Sequence, residues 1–347
     1  MQSVVNQMKK FVGFGELLVR LCPEGYLRFP QADKFTVNYT GAEGNMAIAL
    51  SYMGVPSSLV TKLPDNPIGR CAEQKLAQYK VDLSNIIWGG DRIGVYYLER
   101  GASQRPSKIV YDRKNSAIAE ADPSEYDWDS ILKDAGWFHF TGITAGLSEK
   151  CAKACEDACK TANRLGVKVS CDLNYRKKLW TPEEAQKVMR PLMRYVDVLF
   201  ANEEDSEKVL GISAGNSDVT AGKLDREGYV ELAKRLTDEF GFDSVAVSLR
   251  ESISASTNNW SGLYYRDDTA YFSPTYQIHL VDRVGGGDSF ASGLIYARMN
   301  GYDNQKAINY AVAASCLKQT MEFDFNLSTV EEVLSLAEGD GSGRVQR

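Results

Sequence analysis

Histidine is the scarcest chemically versatile residue in this chain: among 347 residues only His139 and His279 occur. A multi-histidine metal site is therefore excluded, and a Ser-His-Asp hydrolase would have to use one of these two. An excess of positive charge is also missing. Lys and Arg total 40 against 46 Asp and Glu, a formal net charge of −6 at pH 7. The chain thus lacks the basic field with which a general nucleic-acid binder displaces counterions, although a local basic pocket remains open. No run is long and apolar enough to suggest a membrane span. The longest uncharged stretch, Gly44–Thr61, contains Gly54, Pro56, Ser57 and Ser58 and reads as helix, turn and strand. The opening MQSVVNQMKKFVGFGE has no apolar stretch of the signal-peptide kind. The seven cysteines are odd in number and form no dense framework, which points to a reducing, cytoplasmic setting. With 44% hydrophobic and 25% charged residues, the composition excludes disorder, a collagen-like chain and a coiled coil. The length fits one large domain or two smaller ones.

What is present is an alternation of short β-rich runs and amphipathic helical stretches. Strands are predicted at 11–15, 57–63, 137–142, 167–173, 196–201 and 244–249. Helices are predicted at 45–53, 69–79, 149–165, 182–195, 203–210, 229–240, 288–299 and 303–320. Continuous apolar strands separated by helices argue for a parallel sheet covered on both faces. Two stretches break the rhythm. Residues 17–40 have no helical period, and residues 92–118 read as a hairpin turning at ASQRPS, with Ile109, Tyr111 and Arg113 on one face. Together they predict a small β layer on an α/β body. From Glu338 the chain is polar and Gly-rich and reads as a flexible tail, 338–347.

The strongest chemical signal is Val281-Asp282-Arg283-Val284-Gly285-Gly286-Gly287-Asp288-Ser289-Phe290, running into a helical pattern. Glycines before a helix free backbone N–H groups to face an anion, and the helix terminus adds favourable potential. A carboxylate at Asp288 could take a proton from a hydroxyl while those donors hold a phosphate. The bland alternative is a Gly-rich loop with Asp288 as an ordinary N-cap. The second signal is Gly41-Ala42-Glu43-Gly44-Asn45 leading into an apolar helix that ends at Gly54. It lacks the dinucleotide spacing G-x-G-x-x-G.

In this order and separation the two signals resemble the paired signatures of the ribokinase-like (PfkB) carbohydrate kinases. Between them, Tyr111–Ala117, Thr141–Thr144, Cys171–Arg176 with Leu179-Trp180, and Asn202–Asp205, followed by Asp324–Asn326, resemble the 2-keto-3-deoxygluconate kinase branch. The similarity runs from about Gly13 to Leu336. It implies a three-layer α/β/α sandwich over 1–337, with a mostly parallel sheet and a small β-sheet lid formed by segments near 17–40 and 92–118. It implies ATP-dependent phosphorylation of a sugar-acid hydroxyl with Mg2+, with room for a monovalent cation. The partners implied are a small sugar acid and ATP, not nucleic acid or membrane, with self-association into a homo-oligomer. Asp288 matches the catalytic base, and Gly285, Gly286 and Gly287 match the anion hole. Gly41, Asn45, Tyr96, Tyr111, Arg113, Arg176 and Asp324 match substrate-binding positions. Asn174, Arg176, Asn202, Ser248, Arg250, Gly285, Gly287 and Asn309 fall where nucleotide is held. Asp205, or Glu204 beside it, stands where an acid reaches Mg2+ through water. Three features depart from the family pattern: Asp205 replaces the longer glutamate, Ser248–Ser254 replaces a Gly-rich stretch, and Arg283 replaces a threonine.

The residues themselves support a charged substrate, because Arg113 and Arg176 could meet a carboxylate in a bidentate way. A surface salt bridge is the plain alternative for either. Rival functions are a kinase of the same fold acting on fructose or a nucleoside, and an inactive sugar-binding protein. Cys151, Cys155 and Cys159 recur every four residues on one helix. They span about 12 Å by helix rise, too far for one tetrahedral ion, and read as small core residues. His139 reads as structural.

Overall fold

The computed structural model describes residues 9–213, 226–341 and 343. The larger of its two sheets contains β1 (Lys10–Phe14), β4 (Ser57–Leu63), β5 (Ile86–Trp88), β8 (Ala135–Thr141), β9 (Lys168–Asp172) and β10 (Val198–Ala201). It is completed by β11 (Ser244–Ser252), β12 (Thr257–Arg266), β13 (Thr269–Phe272) and β14 (Tyr276–His279). The order is β13-β12-β11-β10-β9-β8-β1-β4-β5, and β14 also pairs with β12. From β11 to β5 all pairings are parallel; β12, β13 and β14 form an antiparallel edge.

Alternate strand residues feed two cores, as the pleat requires. One face packs Val12, Phe138, Val169 and Val245 against helices α3 (Glu149–Leu165), α4 (Pro182–Met193) and α5 (Arg226–Phe240). The other packs Phe11, Trp137, Phe200 and Ala246 against α1 (Ala42–Tyr52), α2 (Pro67–Ala77), α6 (Gly286–Met299), α7 (Asn304–Lys318) and α8 (Val330–Ala337). Cys151, Cys155 and Cys159 sit buried in the first core as unpaired thiols, small apolar residues among alanines. His139 is fully buried with Nδ1 2.7 Å from the Ser170 hydroxyl, and burial pulls its pKa down to about 3, so it is a neutral scaffold residue. His279 lies on the exposed edge of β14.

The smaller sheet runs β3 (Thr36–Thr40), β2 (Leu18–Cys22), β6 (Gly94–Glu99), β7 (Lys108–Asp112). It combines the two stretches that broke the sequence rhythm. β2 and β6 are parallel, while the outer pairings are antiparallel. Its tip is docked. The Ser103 carbonyl accepts from Ala255 N–H at 2.7 Å, and Ser103 N–H donates to Ser256 Oγ at 2.9 Å. On the other side Lys178 Nζ reaches the Ile109 carbonyl at 2.8 Å. The Ser248–Ser254 segment is therefore no loop: most of it continues β11, and the hairpin it forms with β12 receives the tip of the lid.

Three expectations change. The stretch 203–210 is one short turn, Glu203–Asp205, continued by a π-helical turn over Ser206–Leu210. Helix α6 begins at Gly286 rather than Asp288. The tail expected from 338 is tied down at its start, where the N–H groups of Glu338, Gly339 and Asp340 bond back to carbonyls of Leu334, Leu336 and Ser335. Residues 342 and 344–347 of that tail, and 1–8 of the opening segment, lie outside the described residues. No helix among the described residues is long and apolar enough to cross a membrane.

Candidate active site

The C-terminal ends of the parallel strands, where such sheets bind ligands, collect the sequence signals on one side of the molecule. The turn Asp282–Gly285 delivers the chain into α6. Gly285, not Asp288, is the N-cap. Its φ is +82°, and a Cβ there would lie 2.1 Å from the Asp324 carbonyl oxygen, so only glycine fits. Gly286 N–H closes the turn onto the Arg283 carbonyl at 3.2 Å. Among the described residues the N–H groups of Gly287 and Asp288 find no backbone acceptor, as expected in a first helical turn, and a Cβ at Gly287 would meet open space. Free donors ahead of a helix N-terminus form a cradle of the kind that can take an anion.

Asp288 stands at the third helical position. Its Oδ2 accepts from Asn45 Nδ2 at 2.7 Å, and Asn45 Oδ1 in turn accepts from the Thr40 hydroxyl at 2.8 Å. The two signatures, far apart in sequence, thus meet through one hydrogen bond. Burial pushes the Asp288 carboxyl up to about 6. The Asn45 bond opposes that rise, Asp324 adds to it, and Arg176 and Lys318 oppose it. Gly41 caps the approach to α1 in tight contact: a Cβ there would fall 2.0 Å from the Glu16 carbonyl.

A second acidic group lies at the ends of β9 and β10. Asn202 and Asp205 bond reciprocally, each at 2.8 Å, so the capped helix start suggested by the sequence is realised. Asp205 also accepts from Tyr175 N–H at 3.2 Å. It is pushed up to about 6, chiefly by burial, with Arg176 opposing. Asp172 is likewise raised, by burial and by the nearby charges of Asp205 and Asp288. Asn174 adopts φ +42°, a conformation asparagine tolerates, and its N–H bonds to Asp172 Oδ1. Arg176 has no carboxylate within 4 Å among the described residues, and its Nη1 donates to the Tyr175 carbonyl. Among the described residues no three Asp, Glu, His or Cys side chains converge on one ion. The oxygen donors Asp172, Asp205 and Asn202, with charge only partly offset by Arg176, nevertheless fit a hard cation that keeps most of its own water.

The lid-side residues are engaged differently from expectation. Arg113 Nε and Nη2 both bond Glu16 Oε2, the former at 2.7 Å, while Ser116 holds Glu16 Oε1 at 2.6 Å. Nη1 of Arg113 is left for another acceptor. Tyr111 is half-buried, with its ring against Arg113 and 5.9 Å from that of Tyr96. Tyr96 and Asp324 are tied into a buried hydrogen-bond network beneath the lid. The Tyr96 hydroxyl donates to Asp324 Oδ1 at 3.0 Å, and Asp324 Oδ2 is taken by Arg20 at 2.9 Å and Asn38 at 3.5 Å. Both are almost wholly buried.

On the opposite side, Ser248 and Arg250 lie along β11 on the face that packs toward α6, with Arg283 in the turn before it. Neither arginine has an ion-pair partner among the described residues, and both keep contact with solvent. Arg283 is drawn down to about 10 by its surroundings and by the nearby Arg250, which is itself lowered. Asn309 is not brought to the cradle. It lies nearly two turns of α7 before Ser315, with Oδ1 accepting from Gln305 at 2.9 Å.

Several participants escaped the sequence reading: Arg20, Glu43, Asp172, Asp282 and Lys318. Asp282 was in plain view inside the signature. Arg20 had a readable signal, a charge on the same strand face as Leu18 and Cys22. Glu43 is fully enclosed, with Thr141 and Thr144 donating to Oε1, and burial pushes it up to about 7.

A family model described as pfkB family carbohydrate kinase matches residues 8–322. The chain is 33% identical over 335 residues to a 2-dehydro-3-deoxygalactonokinase of Haloferax volcanii, covering 96% of this chain and 98% of that protein. It is 28% identical over 316 residues to a 2-dehydro-3-deoxygluconokinase of Thermoproteus tenax, covering 89% and 88%. The crystal structure of a 2-dehydro-3-deoxygluconokinase from Thermotoga maritima superposes with a TM-score of 0.92 at 52% identity, over 95% of this chain and 100% of that one.

Proposed function

The chain belongs to the pfkB family of carbohydrate kinases, and from that premise we propose that it transfers the γ-phosphoryl group of ATP to the terminal hydroxyl of 2-keto-3-deoxygluconate, giving the 6-phosphate. The carrying observation is the Thr40–Asn45–Asp288 chain beside the open N–H groups of Gly287 and Asp288. A carboxylate beside free N–H donors supports proton removal from a hydroxyl together with the holding of phosphate charge. The Asp288 carboxylate accepts the proton, the freed oxygen attacks the γ-phosphorus, and the bond to the β,γ-bridging oxygen breaks to release ADP. The Gly285–Asp288 backbone holds the developing charge, which is transition-state stabilisation of the oxyanion-hole kind. Mg2+, when bound, neutralises charge on the phosphates; Asp205, Asp172 and Asn202 would hold it through water. A monovalent cation adds nothing this reading requires.

Asn174, Asn202, Arg176, Ser248, Arg250 and Arg283 line the nucleotide side. Asn309 belongs to the far, base end. Gly41, Asn45, Tyr111, Arg113 and Arg176 line the sugar side under the lid, and Nη1 of Arg113 meets the substrate carboxylate. The lid comprises the segments near 17–40 and 92–118 of one kinase domain. Its outer face exposes Val37 (53%) and Val110 (51%), with Phe35 close by. Such an apolar face supports pairing with a second copy as a homo-oligomer. The acidic net charge and the scattered, unpaired cysteines fit an enzyme that works in the cytoplasm without nucleic acid. ADP release measured over a panel of 2-keto-3-deoxygluconate, its galactonate epimer, fructose, ribose and adenosine tests the substrate class. Comparable kcat/KM for a neutral sugar would overturn the acid assignment. The epimer belongs in the panel because the Haloferax relative carries its name.

A further inference from the structure

Lys318, the last residue of α7, is fully buried (0% exposed). An ammonium without water is costly unless acceptors and opposite charge surround it. Its Nζ donates to the Asp282 backbone carbonyl at 2.9 Å. The same end of α7 grips that loop at three further points. The Gln319 carbonyl accepts from the N–H groups of Val281 and Asp282, and the Ser315 hydroxyl donates to the Gly286 carbonyl at 2.7 Å. The ion cluster around Lys318 draws on every neighbouring element. Arg20 comes from β2 and Tyr96 from β6. Asp282 comes from the loop, Asp288 from α6 and Asp324 from beyond α7. Arg100 and Glu322 pair at its outer edge. Inside that edge two cations face three carboxylates, so loss of either cation leaves excess negative charge beside the phosphate cradle.

We propose that Lys318 is a positioning residue for the transfer step: its ammonium clamps the Asp282 carbonyl so that the Gly285–Gly287 turn keeps its donors aimed outward. The inference rests on the reading of Asp288 as the proton acceptor. Electrostatics run the same way. Lys318 is among the groups that hold the Asp288 carboxyl down against its burial, and burial draws Lys318 itself down to about 8, with Asp282 and Asp324 opposing. The ammonium is therefore charged at neutral pH and loses its proton as pH rises through about 8. The active form needs Asp288 ionised and Lys318 protonated, which gives a bell-shaped pH profile.

The test uses full-length protein labelled with 13C at aspartate carboxyls, with D288N assigning the Asp288 resonance. In wild type, Asp288 should titrate near 6 and show a second inflection near 8 as Lys318 discharges. K318M should raise the Asp288 midpoint, the direction in which loss of one opposing cation acts. It should also speed amide exchange at Gly287 and Asp288. K318R, which keeps a charge that does not titrate, should keep the low midpoint and abolish the second inflection. In turnover, K318R should lose the alkaline limb of kcat, and K318M should move the acid limb upward. Amide exchange at Gly287 and Asp288 unchanged in folded K318M would overturn the inference, as would an unmoved Asp288 midpoint. Should K318M not fold, a wild-type Asp288 titration without the upper inflection, or an alkaline limb surviving in K318R, would overturn it equally. The resonance measurements need no substrate. An enzyme that phosphorylates no sugar acid would end the kinase reading while Lys318 is still judged.

Discussion

Asp288→Asn separates catalysis from folding in one substitution. The side chain keeps its shape, and the amide oxygen can still accept from Asn45 Nδ2. No cap is lost, because Gly285 holds that position. A carboxylate in the first turn of α6 gains about 0.3–1 kcal/mol from the helix dipole, which the amide forgoes. Burial works the other way. It raises the carboxyl from 3.8 to about 6, roughly two pH units, and at about 1.4 kcal/mol per unit the ionised form costs the folded state about 3 kcal/mol. A raised carboxyl destabilises only where it is ionised. Below about pH 4 both folded and unfolded states hold the proton and no cost exists; it grows between 4 and 6 and is complete above 6. Asp288→Asn should therefore be about 1–3 kcal/mol more stable than wild type at pH 7.5 and indistinguishable from it at pH 3.5. Calorimetric melting at the two pH values reads this directly. In the same preparation kcat should fall by roughly 10²–10⁴-fold, the usual worth of a general base, with ATP affinity little changed. Turnover near wild type would refute the catalytic role. A variant less stable than wild type at pH 7.5 would refute the electrostatic reasoning.

Arg113→Ala should raise KM for the sugar acid by roughly 30- to 1,000-fold, the equivalent of about 2–4 kcal/mol for one partner of a desolvated pair, and leave ATP affinity unchanged. It should also lower the melting temperature, because Glu16 would keep only Ser116; an equal loss for ATP would move Arg113 to the nucleotide side. Arg283→Thr should weaken ATP about tenfold while leaving adenosine inhibition unaltered, as expected for one charge-assisted contact to phosphate; parallel weakening of adenosine would contradict a phosphate contact. Hydrogen exchange along the lid should be uneven. Tyr96–Leu98, pinned between β2 and β7, should already be slow without ligand, and only the edge strand Ile109–Asp112 should slow further with substrate. Uniform protection of both strands would mean that the whole lid moves as one unit.

Repeating patterns were the legible part of the chain. Apolar strand cores such as VDVLFA and SVAVSL, and helices with a polar face such as Glu149–Leu165, carry their period in the sequence, and the structure places them within a few residues. The edge pieces β5, β13 and β14 are three or four residues long, too short for a period to register. Asp288 and Asn45 were legible as parts of motifs, but their bond was not, because it spans 243 positions. Buried charges were the systematic blind spot. Arg20, Lys318 and Glu43 are buried, and each is stabilised by polar partners from distant segments that the local sequence does not reveal. Tyr96 and Asp324 were legible as motif positions, but their bonds to each other and to Arg20 were not, because those partners lie far apart in sequence.

The ion pairs also constrain how a sugar acid can lie in the proposed reaction. Asp288, Asp324 and Asp282 crowd the start of α6, and Asp288 and Asp172 are each raised partly by neighbouring carboxylates. A substrate carboxylate brought to that end would add to the repulsion. At the lid end, by contrast, Arg113 has satisfied Glu16 with two of its nitrogens and keeps Nη1. In the proposed reaction the acid would then lie under β7 and its terminal hydroxyl at Asp288, so that regiochemistry would follow from charge separation across the cleft. Arg20 links the two ends mechanically. It belongs to the lid strand β2, yet bonds Asp282 at the mouth of the cradle and Asp324 beneath Gly285. A lid displaced at β2 would leave two carboxylates buried without that cation, so the root of the lid stays fixed and any closing motion falls to the edge strand β7.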